Sequence, residues 1–174
     1  LGRMVQSEIP QKKENGSIRY QKTTTEYDKA GNVTEKSEQV DADRTAKTGY
    51  TYDKQGNLVM VKSSLEDGNA QYVQYVYDPE GNKVRQYTGM TAPLTITVTE
   101  VEKAAEDADA FSYAGKTWQI IVSGKKKTDT IRETKYEYDG KNQLTSYTDP
   151  EGRRETYTYD ENSSLTRTVD KNKN

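Results

Sequence analysis

Tyr52-Asp53-Lys54-Gln55-Gly56-Asn57-Leu58 reads as a β-hairpin turn with a strand on either side. A three-residue hairpin loop is a type I turn followed by a residue in the left-handed region, usually glycine. Lys54-Gln55-Gly56 meets that demand, because Gly56 takes positive φ without a Cβ penalty. Asp53 occupies the first turn position, where its carboxylate accepts bonds from the amides that follow. The geometry sets Tyr52 opposite Leu58 on one face and Asp53 opposite Asn57. An aromatic–aliphatic pair of this kind contributes about 0.2–1 kcal/mol.

The same stretch recurs along the chain. Tyr27-Asp28-Lys29-Ala30-Gly31-Asn32-Val33 precedes it, and Tyr77-Asp78-Pro79-Glu80-Gly81-Asn82 follows with Val84 one place late. Tyr138-Asp139-Gly140-Lys141-Asn142-Gln143-Leu144 and Tyr159-Asp160-Glu161-Asn162-Ser163-Ser164-Leu165 complete the set. The successive tyrosines are spaced by 25, 25, 61 and 21 residues. Because 61 is close to three units of about 20, the repeat is expected to run through the gap in degenerate form. Pro79 suits the second turn position, where φ is already near −65°. Asn142 and Ser163 replace glycine at the left-handed position, and Ser163 is the poorer substitute. Asp149-Pro150-Glu151-Gly152 repeats the turn without its tyrosine.

A second tyrosine precedes the motif by two residues in four copies, at Tyr50, Tyr75, Tyr136 and Tyr157. Period two places both tyrosines of a copy on one face. The expected fold is therefore all-β, an antiparallel sheet of consecutive hairpins, elongated or spiralling, with a tyrosine ladder along one side. Other hairpin signals are Asn15-Gly16 and Asp67-Gly68. Val40 to Lys47 reads as a loop. Pro93 introduces an alternating strand, Leu94-Thr95-Ile96-Thr97-Val98, and Glu102 to Ala110 reads as a short helical turn or a loop. Phe111-Ser112-Tyr113 and Trp118-Gln119-Ile120-Ile121-Val122 flank Ala114-Gly115-Lys116 as a further hairpin. The organisation is then repeat hairpins over 1–87, a degenerate repeat or an insertion over 88–130, and repeat hairpins over 131–174.

Composition narrows the chemistry. Val, Ile, Leu and Phe make up 25 of 174 residues, about a seventh, which is low for a folded chain. The 26 basic and 28 acidic residues nearly cancel, so the high net charge of a disordered chain is missing. Fourteen tyrosines, against one tryptophan and one phenylalanine, supply apolar surface whose hydroxyls still reach polar partners. Thin, half-buried layers follow. Cysteine and histidine are both zero, which excludes disulfides, thiol nucleophiles, Cys/His zinc sites and a Ser-His-Asp triad. No apolar run approaches the length of a membrane span, and no signal peptide opens the chain. A net charge of −2 gives no electrostatic reason to bind nucleic acid. Leu1-Gly2-Arg3-Met4 reads as the start of an excised piece.

Tyr-Asp-x-x-Gly-Asn-Leu at spacings of 20–25 resembles the YD repeat of bacterial Rhs and wall-associated proteins. Thr148-Asp149-Pro150-Glu151-Gly152-Arg153 leading to Tyr157-Thr158-Tyr159-Asp160 is similar to that family in the same way. The likeness covers residues 20–87 and 132–169. It implies a long sheet of hairpins spiralling into a hollow shell around a C-terminal toxin or effector, in a parent exported to the bacterial cell surface. Older descriptions of the family add carbohydrate binding. Members that release their own cargo carry an Asp-Pro-x-Gly-Leu motif. Asp78-Pro79-Glu80-Gly81-Asn82 and Asp149-Pro150-Glu151-Gly152-Arg153 lack its leucine, so self-cleavage is not carried over.

Three functions compete. The first is a non-catalytic scaffold, in which Tyr27, Asp28, Gly31, Tyr52, Asp53, Gly56, Tyr77, Asp78, Gly81, Tyr138, Asp139, Tyr159 and Asp160 are structural and the partners are neighbouring repeats and an enclosed effector. The second is a module that binds glycan or cell-wall polymer, stacking sugars on Tyr75, Tyr77 and Tyr87, or on Trp118 with Tyr113. The third is carboxylate-pair catalysis. The repeat aspartates already serve turns, so no enzyme activity and no cofactor are expected. Asp41-Ala42-Asp43 and Asp107-Ala108-Asp109 lack the rest of a calcium loop, and Lys125-Lys126-Lys127 reads as a charged hairpin tip. Unpaired strand edges favour an edge-to-edge homo-oligomer. The expected location is secreted, or the cell wall or surface of a bacterium.

Overall fold

The computed structural model describes residues 2–12, 16–41, 43–64 and 68–170. The chain divides into two compact units, Leu1–Tyr72 and Val73–Asn174. Among the described residues all regular structure is β, with no helix.

In the first unit β1 (Met4–Lys12), β2 (Ile18–Tyr27), β3 (Val33–Gln39), β4 (Thr45–Tyr52) and β5 (Leu58–Ser64) pair antiparallel in chain order. The expected loop over 40–47 is shorter than that, because Thr45, Ala46 and Lys47 join β4 and pair with Gln39, Glu38 and Ser37. The two-residue signals at Asn15-Gly16 and Asp67-Gly68 each include a residue outside the described ones. Side chains along these strands are half-buried or exposed. That is the thin layer the composition implies.

The second unit holds β6 (Ala70–Tyr77, which begins just before it), β7 (Lys83–Met90), β11 (Arg132–Tyr138), β12 (Leu144–Thr148), β13 (Arg154–Tyr159) and β14 (Leu165–Asp170), neighbours in that order. Between β7 and β11 the chain leaves this sheet and forms a separate one. Its strands are β8 (Thr95–Val101), β9 (Asp109–Tyr113) and β10 (Lys116–Ser123), ordered β8-β10-β9. The expectation that degenerate repeats fill the gap is overturned here. β7 pairs directly with β11, Tyr87 opposite Glu133 and Arg85 opposite Lys135, so the third and fourth copies are adjacent in the sheet despite 61 intervening positions.

The expected strand after Pro93 forms, and residues 102–108 form a loop before β9 begins at Asp109. The β9–β10 turn is tighter than expected. Lys116 pairs with Tyr113, leaving the two-residue loop Ala114-Gly115, both at positive φ (50° and 74°). Those angles match the I′ turn that suits a twisted two-residue hairpin.

The buried core lies in the second unit, where the inserted sheet packs on the repeat sheet. Val76, Val84, Tyr87 and Met90 from β6 and β7 are buried, as are Leu94, Phe111 and Ile120 from the insert. Period two explains the insert's share. Ile96, Val98, Phe111, Trp118, Ile120 and Val122 fall on one face, while Thr95, Thr97, Thr99 and Ile121 fall on the other. Lys135 and Glu133 meet the insert through Asp109, so the neighbouring Tyr136 points to the opposite side of the repeat sheet.

Candidate functional site

Each copy of the motif builds the same turn. The amide of Gly56 donates to the Asp53 carbonyl at 3.2 Å, and that of Asp53 to the Asn57 carbonyl at 2.9 Å. Gly31, Gly81, Asn142, Gly152 and Ser163 take the place of Gly56 in the other turns, all at positive φ. The aspartate carboxylate is the hub. Asp53 Oδ1 accepts from the Gln55 and Asn57 amides at 2.9 and 2.8 Å, and Oδ2 accepts from Asn57 Nδ2 at 3.0 Å. Asp78 repeats the three bonds with Glu80 and Asn82. Asp28 accepts from the Asn32 amide and side chain in the same way, and Asp139, Asp149 and Asp160 keep the amide bonds. Bonds from the Asn32 side chain and amide hold the Asp28 carboxyl below its usual range. At Asp53 burial pushes upward, but the Asn57 and Gln55 bonds outweigh it and the carboxyl is lowered. A carboxylate spent this way is an acceptor for its own loop.

Beyond the turn the strand carries a bulge. Tyr52 faces Leu58 while Thr51 faces Met60, leaving Val59 as the extra residue. Thr34, Thr145 and Thr166 are the corresponding extras. The hydroxyls of Thr145 and Thr166 donate back to the carbonyls of Glu137 and Thr158 at 3.1 and 3.0 Å.

The motif tyrosine links one copy to the next. Tyr52 Oη donates to the Val33 carbonyl at 2.9 Å, Tyr138 Oη to Lys83 at 3.0 Å, and Tyr159 Oη to Leu144 at 2.8 Å. Each acceptor lies six positions after the tyrosine of the preceding copy, beside the bulge that loosens the ladder. On this side of the second unit the Lys83 ammonium sits between rings, 5.4 Å from Tyr75 and 4.6 Å from Tyr136. Tyr136 then meets Tyr147 edge-on at 5.5 Å. Asn82 Nδ2 also donates to Asn142 Oδ1 at 3.0 Å, joining the third and fourth turns.

The candidate sugar-stacking residues do not converge. Tyr87 is 3% exposed, so its ring offers no face to a ligand. Tyr75 stacks with Lys83 in the ladder, and Tyr77 is half-buried at its turn. Trp118 stacks on Phe111, centroids 6.3 Å apart and planes 9° from parallel, within the insert's apolar face. Its Nε1 is buried without a hydrogen-bond partner. Tyr113 alone of the five lines a cleft of the second unit, a space of about 760 Å³ between the insert and the third and fourth turns.

Four carboxylates border that cleft, and each is engaged. Asp78 and Asp139 hold turns, Glu137 accepts from Arg154 at 2.7 Å, and Glu80 accepts from Tyr113 Oη at 2.5 Å. The Glu80 bond pushes the Tyr113 hydroxyl up to about 12. Among the described residues no group of three or more Asp or Glu is placed to hold a metal ion, and no helix is long and apolar enough to cross a membrane.

The charged cluster beneath the insert has no signature in the sequence. Arg85, 3% exposed, donates to Asp109 through Nε at 3.0 Å and Nη2 at 2.7 Å. It also donates to the Val84 and Ala110 carbonyls at 2.7 and 2.8 Å. Glu133 and Lys135 complete the group from β11. The role of asparagine five places after the tyrosine, at Asn32, Asn57 and Asn82, was legible as a recurring letter; its bond back to the aspartate needed coordinates.

No curated protein matches the sequence. Among solved structures, the chain is similar to a Photorhabdus luminescens Tc holotoxin pore bearing a TccC3 substitution, with 16% identity over 94% of this chain and 9% of that one, at a TM-score of 0.43. A second is TcdB2-TccC3 without its hypervariable C-terminal region, with 14% identity over 90% and 10% of the two chains, at a TM-score of 0.26. The chain thus spans about a tenth of the solved chains it matches. The family model described as RHS Repeat matches residues 27–70 and 132–174, half of the chain. These are the stretches in which the Tyr-Asp turn, the bulge and the tyrosine link recur, and the chain belongs to the RHS repeat family.

Proposed function

We propose that this chain is a non-catalytic stretch of wall in a larger YD-repeat protein, one that encloses a C-terminal effector and is exported to the surface of a bacterium or beyond it. The observation that carries the reading is the use of the motif's own groups. The aspartate holds its turn, the tyrosine hydroxyl holds the preceding copy, and neither is left for a substrate. A repeat whose polar groups are spent on the adjoining repeat extends by addition, as repeat arrays do. Its partners are then further YD hairpins and whatever the completed wall encloses. The outer strands β1 and β14 each offer an edge, and such edges favour edge-to-edge oligomers. Limited proteolysis with mass spectrometry tests the scaffold reading. Protected hairpins, with cleavage confined to loops and unaltered by glycans, would support it. Loss of a binding activity through a substitution that leaves this protection intact would sink it.

A second reading rests on the cleft of the second unit. Tyr113, Glu80 and Glu137 border a space large enough for a disaccharide-sized ligand, within the volume range of small-molecule sites. On this reading the cleft binds a cell-wall glycan, and Tyr113 with its Glu80 partner orients the sugar hydroxyls. Titration of a glycan panel against the tyrosine and Trp118 emission decides between the two readings. Saturable binding abolished by Tyr113→Ala would favour recognition, and a flat response would leave the wall.

A further inference from the structure

We propose that the inserted sheet β8-β10-β9 is a plug held on the repeat sheet by a proton-operated clasp, in which Glu133 sits beside the Arg85–Asp109 ion pair and seats the plug more tightly when it carries a proton.

The geometry supplies two carboxylates for one buried guanidinium. Asp109, from β9, takes Arg85 Nε and Nη2. Nη1 is given to the Val84 carbonyl, and Nη2 also serves the Ala110 carbonyl. Four of the five N–H donors of an arginine are thereby committed away from Glu133. Glu133 stands 3.6 Å from Nε, within charge range of the guanidinium. The other groups facing it are the Lys135 ammonium at 3.5 Å, which is shared with Asp109 at 3.2 Å, and the Tyr87 hydroxyl, itself 3.4 Å from Asp109 Oδ2. β7 contributes Arg85 and Tyr87, β9 contributes Asp109, and β11 contributes Glu133 and Lys135. Every bond from this cluster to Asp109 or Ala110 crosses from the repeat sheet to the insert.

The two carboxyls are driven apart in opposite directions. Burial works against the charged form of both. At Asp109 the Arg85 bonds outweigh it and lower the carboxyl to about 2, whereas at Glu133 burial and the adjacent Asp109 raise it. The sign follows by linkage. An acid raised in the docked state favours docking at pH below its shifted value and weakens it as pH rises through that value. Asp109 stays ionised throughout, so the Arg85 pair is retained while Glu133 titrates.

Trp118 lies in the plug, and it is the chain's single tryptophan. The test is amide hydrogen exchange across 95–123, corrected for intrinsic rates, with Trp118 emission read in parallel between about pH 4.5 and pH 7.5. In the wild type, plug amides should exchange severalfold faster at the upper end, while β12–β14 stay constant. Glu133→Gln mimics the protonated acid and should make plug protection independent of pH at the low-pH level. Asp109→Asn should raise plug exchange at every pH and leave β12–β14 protected. A pH-independent wild-type plug, or a Glu133→Gln protein that keeps the wild-type profile, would overturn the proposal. Asp109→Asn with unaltered plug exchange would do so as well.

Discussion

Replacing Tyr138 by phenylalanine removes one hydroxyl and leaves the ring, which isolates the link between consecutive copies. The lost bond is 3.0 Å long and ends on the Lys83 carbonyl. A net intramolecular hydrogen bond is worth about 0.5–1.5 kcal/mol. Lys83 is half-buried, so the middle of that range, about 1 kcal/mol, is expected. With a urea m-value of about 2 kcal/mol/M, the midpoint should fall by about 0.5 M with m unchanged. Tyr159→Phe, which frees the Leu144 carbonyl in the same unit, should cost as much, and the two losses should add. Tyr52→Phe makes the same test in the first unit through Val33. Tyr136→Phe is the control. Its ring packs on Tyr147 and under Lys83, so the change should stay within about 0.5 kcal/mol. Midpoints for the three link variants no lower than that of Tyr136→Phe would refute the claim that hydroxyls, rather than rings, join the copies.

Other substitutions probe the turns and the insert. Ser163→Gly relieves a side chain held at φ 65° and should stabilise by up to about 1 kcal/mol, whereas Gly56→Ala, at φ 90°, should destabilise by about as much; thermal unfolding reads both. Gly89→Ala should be far worse, because a Cβ there would meet the Thr130 carbonyl oxygen at 2.1 Å where the chain returns from the insert. A loss above about 2 kcal/mol is expected, and a folded variant with wild-type melting would contradict it. Acid unfolding should track Asp109. Its carboxyl is lowered to about 2 in the fold, so the stability it supplies is present above its ordinary value and disappears as pH falls through about 2. In Asp109→Asn that acid-dependent loss should be smaller, on a protein already weaker at neutral pH by about 3 kcal/mol because buried Arg85 loses its closest partner and keeps only Glu133 at 3.6 Å.

The turns were legible because their demands are local. A type I turn with a left-handed fourth residue needs Asp, then Pro or a polar residue, then Gly or Asn, and the chain writes those letters five times over. The pairing of Tyr52 with Leu58 followed from loop length alone. What stayed hidden depends on neighbours distant in sequence. The bulge falls on threonine three times, at Thr34, Thr145 and Thr166, and on Val59 once, but β-branched residues fill strands everywhere and so do not announce it. The direct pairing of β7 with β11 was obscured by counting: 61 residues divide neatly into repeats, yet the strands of the insert carry no Tyr-Asp turn. Tyr87 looked like one more exposed ring because period two gives its face but not what covers that face. The cover is a sheet drawn from residues 95–123.

The insert also explains where the chain finds a core. A single layer of hairpins buries one face poorly, and along β1–β5 the described side chains remain half-buried or exposed. The repeats compensate with hydroxyl-to-carbonyl bonds, which need no second layer. Where a second layer is present, the residue types change with it. β6 and β7 present Val76, Val84 and Met90, and the insert answers with Phe111, Leu94 and Ile120. Arg85 is buried in the same place, and its close, two-point partner, Asp109, arrives from the insert, while Glu133 of the repeat sheet stands 3.6 Å away. The same contact that completes the core therefore supplies the bonds that satisfy the buried charge. A plug built this way cannot leave the sheet without exposing apolar surface and giving up the Arg85–Asp109 bonds together, so its docking should be all-or-none rather than graded.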